Sequence, residues 1–424
     1  MKRRRAIASL LAIGALGVGG IAAGCGDDDS GGGGDVGDLK VGVLVPLTGD
    51  LAPFGGPGSD AANLAATQVN AAAEAAGDDL KLTLVTEDTQ TSPQGAQEAA
   101  SKLIESDGVS AIAGPWASSE VIPTAENITV AAGIPIISPS GTDPAITDLD
   151  DDGLVFRTAP SDALQGQVLA ELVGQELGAD ATVNTANRND AYGVALVREF
   201  TTAFEAKGGK VAKNTAYNPE ATSLNSEAQQ IASGNPDGWV IIDFPESWGK
   251  MGPALVRSGN WDPAKTFTAD GLRSTTLPKD AGAPATNGMR GSVPTSLDAP
   301  AGDAFDKLWK DVVKKDRQTY DAQNFDAVIL TALAAAAAGS SDPAAIAENL
   351  QKVSGPPGNK YTFSDLQAAF EALANGEDID YEGASGPVDF DANGDPSAAN
   401  YGTWSYTGGK LVDTDQVIPF TSSE

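Results

Sequence analysis

The chain has 424 residues, a formal net charge of −31 and no histidine. Without imidazole there is no Ser-His-Asp or Cys-His catalysis and no histidine-ligated zinc; one cysteine allows neither an internal disulfide nor a four-thiolate metal site. With 58 acidic against 27 basic side chains, phosphate neutralisation has little to work with, so nucleic acid is not expected as a partner.

The N-terminus is basic at Lys2, Arg3, Arg4 and Arg5 and then uncharged from Ala6 to Ala23. A basic start, a short apolar run and small residues describe a secretory leader. The lone cysteine, Cys25, follows Ala22-Ala23-Gly24, and the arrangement resembles a bacterial lipoprotein signal in which that cysteine carries the lipid. Residues 1–24 are therefore expected to be a signal peptide. Residues 25–37, nearly all Gly, Asp and Ser, are expected to be a flexible tether. No later apolar run reaches the about 18 residues of a spanning helix.

From Leu39 the pattern alternates. Strands are expected at 39–46, 80–86, 109–113 and 134–138, and helices at 59–76, 94–105 and 121–132. A strand at 154–158 restarts the series. Helices at 162–177, 193–206, 225–233 and 248–258 then alternate with strands at 181–185, 210–217, 238–244 and 265–269. The Ala-rich run Leu333 to Ala338 fits a buried helix. Strands alternating with helices imply parallel sheets covered on both faces, here two α/β doubly wound lobes. In such sheets ligands bind beyond the carboxyl ends of the strands.

The loops at those ends share a chemistry. They are Leu47-Thr48-Gly49, Gly114 to Ser119, Ser138 to Thr142, Asn189 to Gly193 and Ala269-Asp270-Gly271. They offer hydroxyls, backbone N–H groups, carboxylates and a few rings, and no nucleophile beside a base. Several precede a helix start, where unpaired N–H groups attract an anion. Two other motifs fail. Gly55-Gly56-Pro57-Gly58 lacks the Lys-Ser/Thr of a phosphate loop. Asp389 to Gly394 opens like a calcium loop but has Asn400 at the twelfth position, so a turn is expected.

At these residues the chain resembles the type I periplasmic binding proteins, branched-chain amino-acid-binding family. The segments that carry the likeness are Val41 to Gly55, Thr86 to Ala96, Ala111 to Ser119, Ala132 to Ile146, Val155 to Gly166, Asp190 to Gly193, Asn324 to Val328 and Gly386 to Asp395. Their order and spacing carry more than any one of them. The resemblance implies two discontinuous lobes joined by crossover strands, the first at 38–158 and 296–387, the second at 159–295 and 388–424.

It also implies roles. Ser118, with Ser140, Gly141 and Thr142, would hold a ligand carboxylate, Tyr192 would close over the ligand, and Asp270 would take its ammonium. Phe54 and Phe244 would line the pocket. Trp116 departs from the family pattern and is expected to reshape it. A small-molecule ligand, an amino acid or similar, would pass to the permease subunits of an ATP-driven ABC importer. The protein would act as a lipid-anchored extracytoplasmic monomer with no catalytic residue, cofactor or metal. Other readings of the residues stay open. Ser118 and Thr142 also suit helix caps, and Asp270 suits a turn. The alternative ligand is an amide, urea or aromatic acid, and the alternative role a surface solute sensor; a carboxylate-dependent hydrolase would need a paired acid that the sequence does not place.

Overall fold

The computed structural model describes residues 36–296 and 301–421. The expected leader, the expected lipidation site Cys25 and the expected tether up to residue 35 lie outside the described residues. Val36 is already buried and the Gly37 carbonyl accepts the Lys81 N–H, so the folded body begins before Asp38.

Strands β1 (Asp38–Val45), β2 (Lys81–Asp88), β3 (Ala111–Ala113), β4 (Ile136–Ser138) and β5 (Val155–Arg157) form one sheet in the order β2-β1-β3-β4-β5. Every neighbouring pair in it is parallel. The second sheet contains β6 (Thr182–Arg188), β7 (Lys210–Tyr217), β8 (Gly238–Ile242), β9 (Thr266–Thr268) and β10 (Arg290–Pro294), all parallel where they pair. Short strands β11 (Asn359–Tyr361) and β12 (Ile379–Tyr381) pair apart from both sheets. Strands β13 (Ala398–Thr407) and β14 (Lys410–Thr421) complete the second sheet, in the order β14-β13-β10-β9-β8-β6-β7. These last two are antiparallel. The second sheet is thus mixed rather than purely parallel, because the Gly408-Gly409 turn, with both residues at positive φ, folds β14 back on β13.

The chain passes between the sheets three times: after β5, after β10 and again before β13. The first passage leads into the helix Asp162–Leu177, whose N-cap Ser161 accepts the Ala163 N–H. The middle passage leads to the helix Asp321–Ala338, nearly all of it buried, as its Ala and Leu content requires. That helix packs against the helix Ala52–Ala76, where the Asn324 amide donates to the Gly58 carbonyl. Before the last passage, Asp391 accepts the N–H groups of Asn393 and Asp395 and closes the expected turn. Among the described residues no single helix is long and apolar enough to cross a membrane.

One boundary moved for a physical reason. The helix expected from residue 59 begins at Ala52 and runs through Gly55-Gly56-Pro57-Gly58. A Cβ on Gly55 would overlap the Pro46 carbonyl, and one on Gly58 would overlap the Trp116 ring. The glycines serve close packing inside a helix and do not open a phosphate loop.

Candidate functional site

The ends of the strands of both sheets converge on one cavity. It is lined by Leu51 and Phe54 after β1, Trp116, Ala117 and Ser118 after β3, and Ser140 after β4. From the second sheet come Tyr192 after β6, Phe244 after β8, and Asp270 and Gly271 after β9; Thr319 and Tyr320 complete the wall. The free volume between these side chains is about 20 Å³, room for about one water. A larger ligand therefore requires the two bodies to part or the side chains to shift.

The first-sheet wall is a network of hydroxyls and backbone groups. Ser118 Oγ accepts the N–H groups of Thr142 and Asp143, each at 3.1 Å. Ser140 Oγ donates to the Trp116 carbonyl at 2.8 Å. Ser138, not singled out from the sequence, donates to the Pro115 carbonyl and accepts the Gly141 N–H. Ser118 and Ser140 therefore face the cavity. Gly141 and Thr142 do not line it, and their N–H groups are spent inside the wall. Behind them, fully buried Arg157 forms a bidentate pair with Asp395 at 2.5 and 2.6 Å. It also donates to the carbonyls of Gly141 and Asp143. One guanidinium thus ties the wall to the turn that precedes β13. Below the wall, Glu120 accepts the Ala117 N–H at 2.9 Å and is fully buried. Burial raises its pKa to about 7.

The second-sheet wall is aromatic and acidic. Tyr192 and Phe244 stack with centroids 5.1 Å apart. Trp116 meets Tyr320 edge to face at 6.5 Å. Asp270 is buried and accepts from Gln165 Nε2 at 2.8 Å and from the Tyr192 hydroxyl at 3.2 Å. Burial raises its pKa, and the hydroxyls of Tyr320 and Tyr192 and the Gln165 amide offset part of that rise. A second acid, Asp162, is fully buried behind it, its pKa raised well above the ordinary value by burial and by the charge on Asp270. Neither carboxylate forms an ion pair among the described residues. A buried anion with hydrogen-bond donors but no cation is matched by a ligand that brings one.

Seven of the nine residues expected around a ligand thus line one cavity: Phe54, Trp116, Ser118, Ser140, Tyr192, Phe244 and Asp270. Ala117 and Gly271 lie in loops that the sequence pointed to, without a role assigned to them; sequence reasoning missed Leu51, Thr319, Tyr320 and, behind Asp270, Gln165. Tyr320 sits in left-handed backbone (φ 69°) just before the helix Asp321–Ala338. A bulky residue there is unusual, and no local sequence pattern announces it.

Comparison with known proteins fits this architecture. The family model described as "Periplasmic binding protein" matches residues 38–399. A Halobacterium salinarum protein described as a chemotactic signal transduction system substrate-binding protein is 27% identical over 83% of this chain and 85% of its own. A Pseudomonas aeruginosa leucine-, isoleucine-, valine-, threonine- and alanine-binding protein is 26% identical over 74% of this chain and 82% of its own. Among solved structures, a Streptococcus pneumoniae branched-chain amino acid transporter substrate-binding protein in complex with isoleucine superposes with a TM-score of 0.73. It has 20% identity and covers 90% of this chain and 100% of that one. An R. palustris solute-binding protein in complex with benzoate superposes at 0.68, with 22% identity and coverage of 89% and 95%. The chain belongs to the periplasmic binding protein family, as a solute-binding protein of the type I fold.

Proposed function

We propose that the protein is the extracytoplasmic binding subunit of an ABC importer, held at the membrane by a lipid on Cys25, and that it captures an amino acid between two closing lobes. The observation that carries the ligand class is Asp270. It is a buried carboxylate on the cavity wall, oriented by Gln165 and Tyr192 and lacking a cation. An α-ammonium supplies that cation. On the opposite wall the Ser118 hydroxyl, whose oxygen accepts two N–H groups and whose hydrogen is not spent on them, takes the ligand carboxylate. Ser140 joins it once its hydroxyl turns from the Trp116 carbonyl, and no buried basic residue is needed. The aromatic stack of Tyr192 and Phe244, with Phe54 and Trp116, surrounds the side chain.

A second reading, an aromatic acid, draws support from the five rings lining the cavity and from the benzoate-bound neighbour. It leaves Asp270 without a counter-charge, which favours the amino acid. A thermal-shift panel of amino acids, amides, urea and aromatic acids separates them. A ligand at about 100 times its dissociation constant adds about 2.7 kcal/mol of stability. A rise in melting temperature with amino acids and none with aromatic acids supports the proposal; the reverse refutes it.

A further inference from the structure

A charge cluster at the rim of the cleft joins the two bodies and belongs to neither the carboxylate nor the ammonium side of the cavity. Arg188, the last residue of β6, is buried. Its guanidinium pairs with Asp190, lies 3.9 Å from Asp243 and pairs at 3.1 Å with Asp50. Asp190 and Asp243 follow β6 and β8 and travel with Arg188. Asp50 follows β1 and comes from the other body. Its loop is pinned there by the Thr48 hydroxyl on Asp88 and by the Leu51 N–H on the Thr91 hydroxyl. The Asp50 carbonyl also accepts the Glu246 N–H at 3.4 Å, a second contact across the same rim.

The other face of the guanidinium lies 3.8 Å from the centre of the Phe244 ring. Phe244 stacks on Tyr192, and Tyr192 donates to Asp270. One side chain therefore holds the aromatic wall of the cavity and receives the carboxylate that arrives from across the cleft. When the bodies part, Arg188 keeps Asp190 and Asp243, and Asp50 returns to water. Neither partner is left buried and unpaired, so the contact is suited to making and breaking.

We propose that Asp50 and Arg188 form an interlobe latch that stabilises the closed form whatever ligand is bound, with Arg188 the positioning residue for the Tyr192–Phe244 wall. The idea rests on the closing-lobe reading above but not on the identity of the ligand, so its test uses the protein with nothing added. Spin labels on Glu98→Cys and Gln229→Cys, exposed helix positions on the two bodies, report the inter-lobe distance in the full chain carrying Cys25→Ser. Asp50→Asn keeps the shape and the backbone contact while removing the charge. It should lower the closed-to-open ratio by roughly three- to tenfold, the size expected of one partly buried charge pair. Asp50→Ala should lower it at least as much. Asp60→Asn, which breaks a pair with Lys315 inside one body, should leave the ratio unchanged, and far-UV circular dichroism checks folding in each variant. A wild-type distribution lying wholly at the open distance overturns the latch. So does a closed distribution that neither Asp50 variant alters.

Discussion

Glu120→Gln should stabilise the protein at neutral pH and do nothing in acid. Glu120 is fully buried, with one oxygen on the Ala117 N–H and no well-aligned bond to the other; that N–H, the Thr89 hydroxyl and the Trp116 and Ser92 N–H groups offset only part of the rise that burial causes. Burial raises its pKa from 4.5 to about 7. Below the unfolded value the carboxyl is protonated in both states and costs nothing. As pH rises through the interval from 4.5 to about 7, the unfolded chain releases the proton while the folded chain retains it, so stability falls. Above about 7 the full cost is present. A displacement of this size corresponds to about 3 kcal/mol.

Glutamine keeps the acceptor for Ala117 and adds an amide donor for Thr89, with no charge to bury. For a folded body of about 390 residues the unfolding entropy is about 0.8 kcal/mol per kelvin, so about 3 kcal/mol corresponds to about 4 °C. Melting curves of wild type and Glu120→Gln across this pH range provide the test, because other titrating groups cancel in the difference. The variant should melt about 4 °C higher above about pH 7, and the gap should close toward pH 4.5. A gap that does not vary with pH, or a variant that melts lower at neutral pH, refutes the argument.

Other perturbations probe the walls of the cavity. Arg157→Met leaves Asp395 without its cation, though the Thr147 hydroxyl still donates to it, and the Gly141 and Asp143 carbonyls without the guanidinium; it should cost about 3–5 kcal/mol, read as a melting temperature lower by about 4–6 °C. Adding Asp395→Leu removes the stranded charge and should recover at least half of that loss. Gly58→Ala drives a methyl into the Trp116 ring and should cost about 1–3 kcal/mol. Trp116→Leu in the same chain should restore most of it; a Gly58→Ala protein as stable as wild type would show that the ring yields freely.

Much of this architecture was legible because its signals are local. The strands Gly238–Ile242 and Asp38–Val45 carry the β-branched pattern of a covered sheet, and Asp162–Leu177 carries its own cap at Ser161. Loops that follow such strands fall where ligands bind in this class of sheet, which brought Ser118, Ser140, Tyr192 and Asp270 to one cavity. The helix start at Ala52 was hidden because Gly55 and Gly58 read as breakers until Pro46 and Trp116 are seen against them. Gly141 and Thr142 look like free donors until the hydroxyls of Ser138 and Ser118 are seen to occupy them. Tyr320 and Gln165 reach the site from distant passages between the sheets, and only three-dimensional folding assembles such contacts. The antiparallel return of β14 did have a local signal, in Gly408-Gly409 between two alternating runs, that the sequence reading passed over.

The measurement that bears most directly on the proposed ligand class is calorimetry with the amino acid giving the largest thermal shift and with its deaminated analogue, each against wild type and Asp270→Asn. The account predicts that wild type binds the amino acid and that Asp270→Asn binds it at least about 100-fold more weakly, as loss of a buried counter-charge requires. It predicts that wild type binds the deaminated analogue no better than the variant binds the amino acid. An unchanged dissociation constant in Asp270→Asn, or equal affinity of wild type for the two compounds, would contradict it.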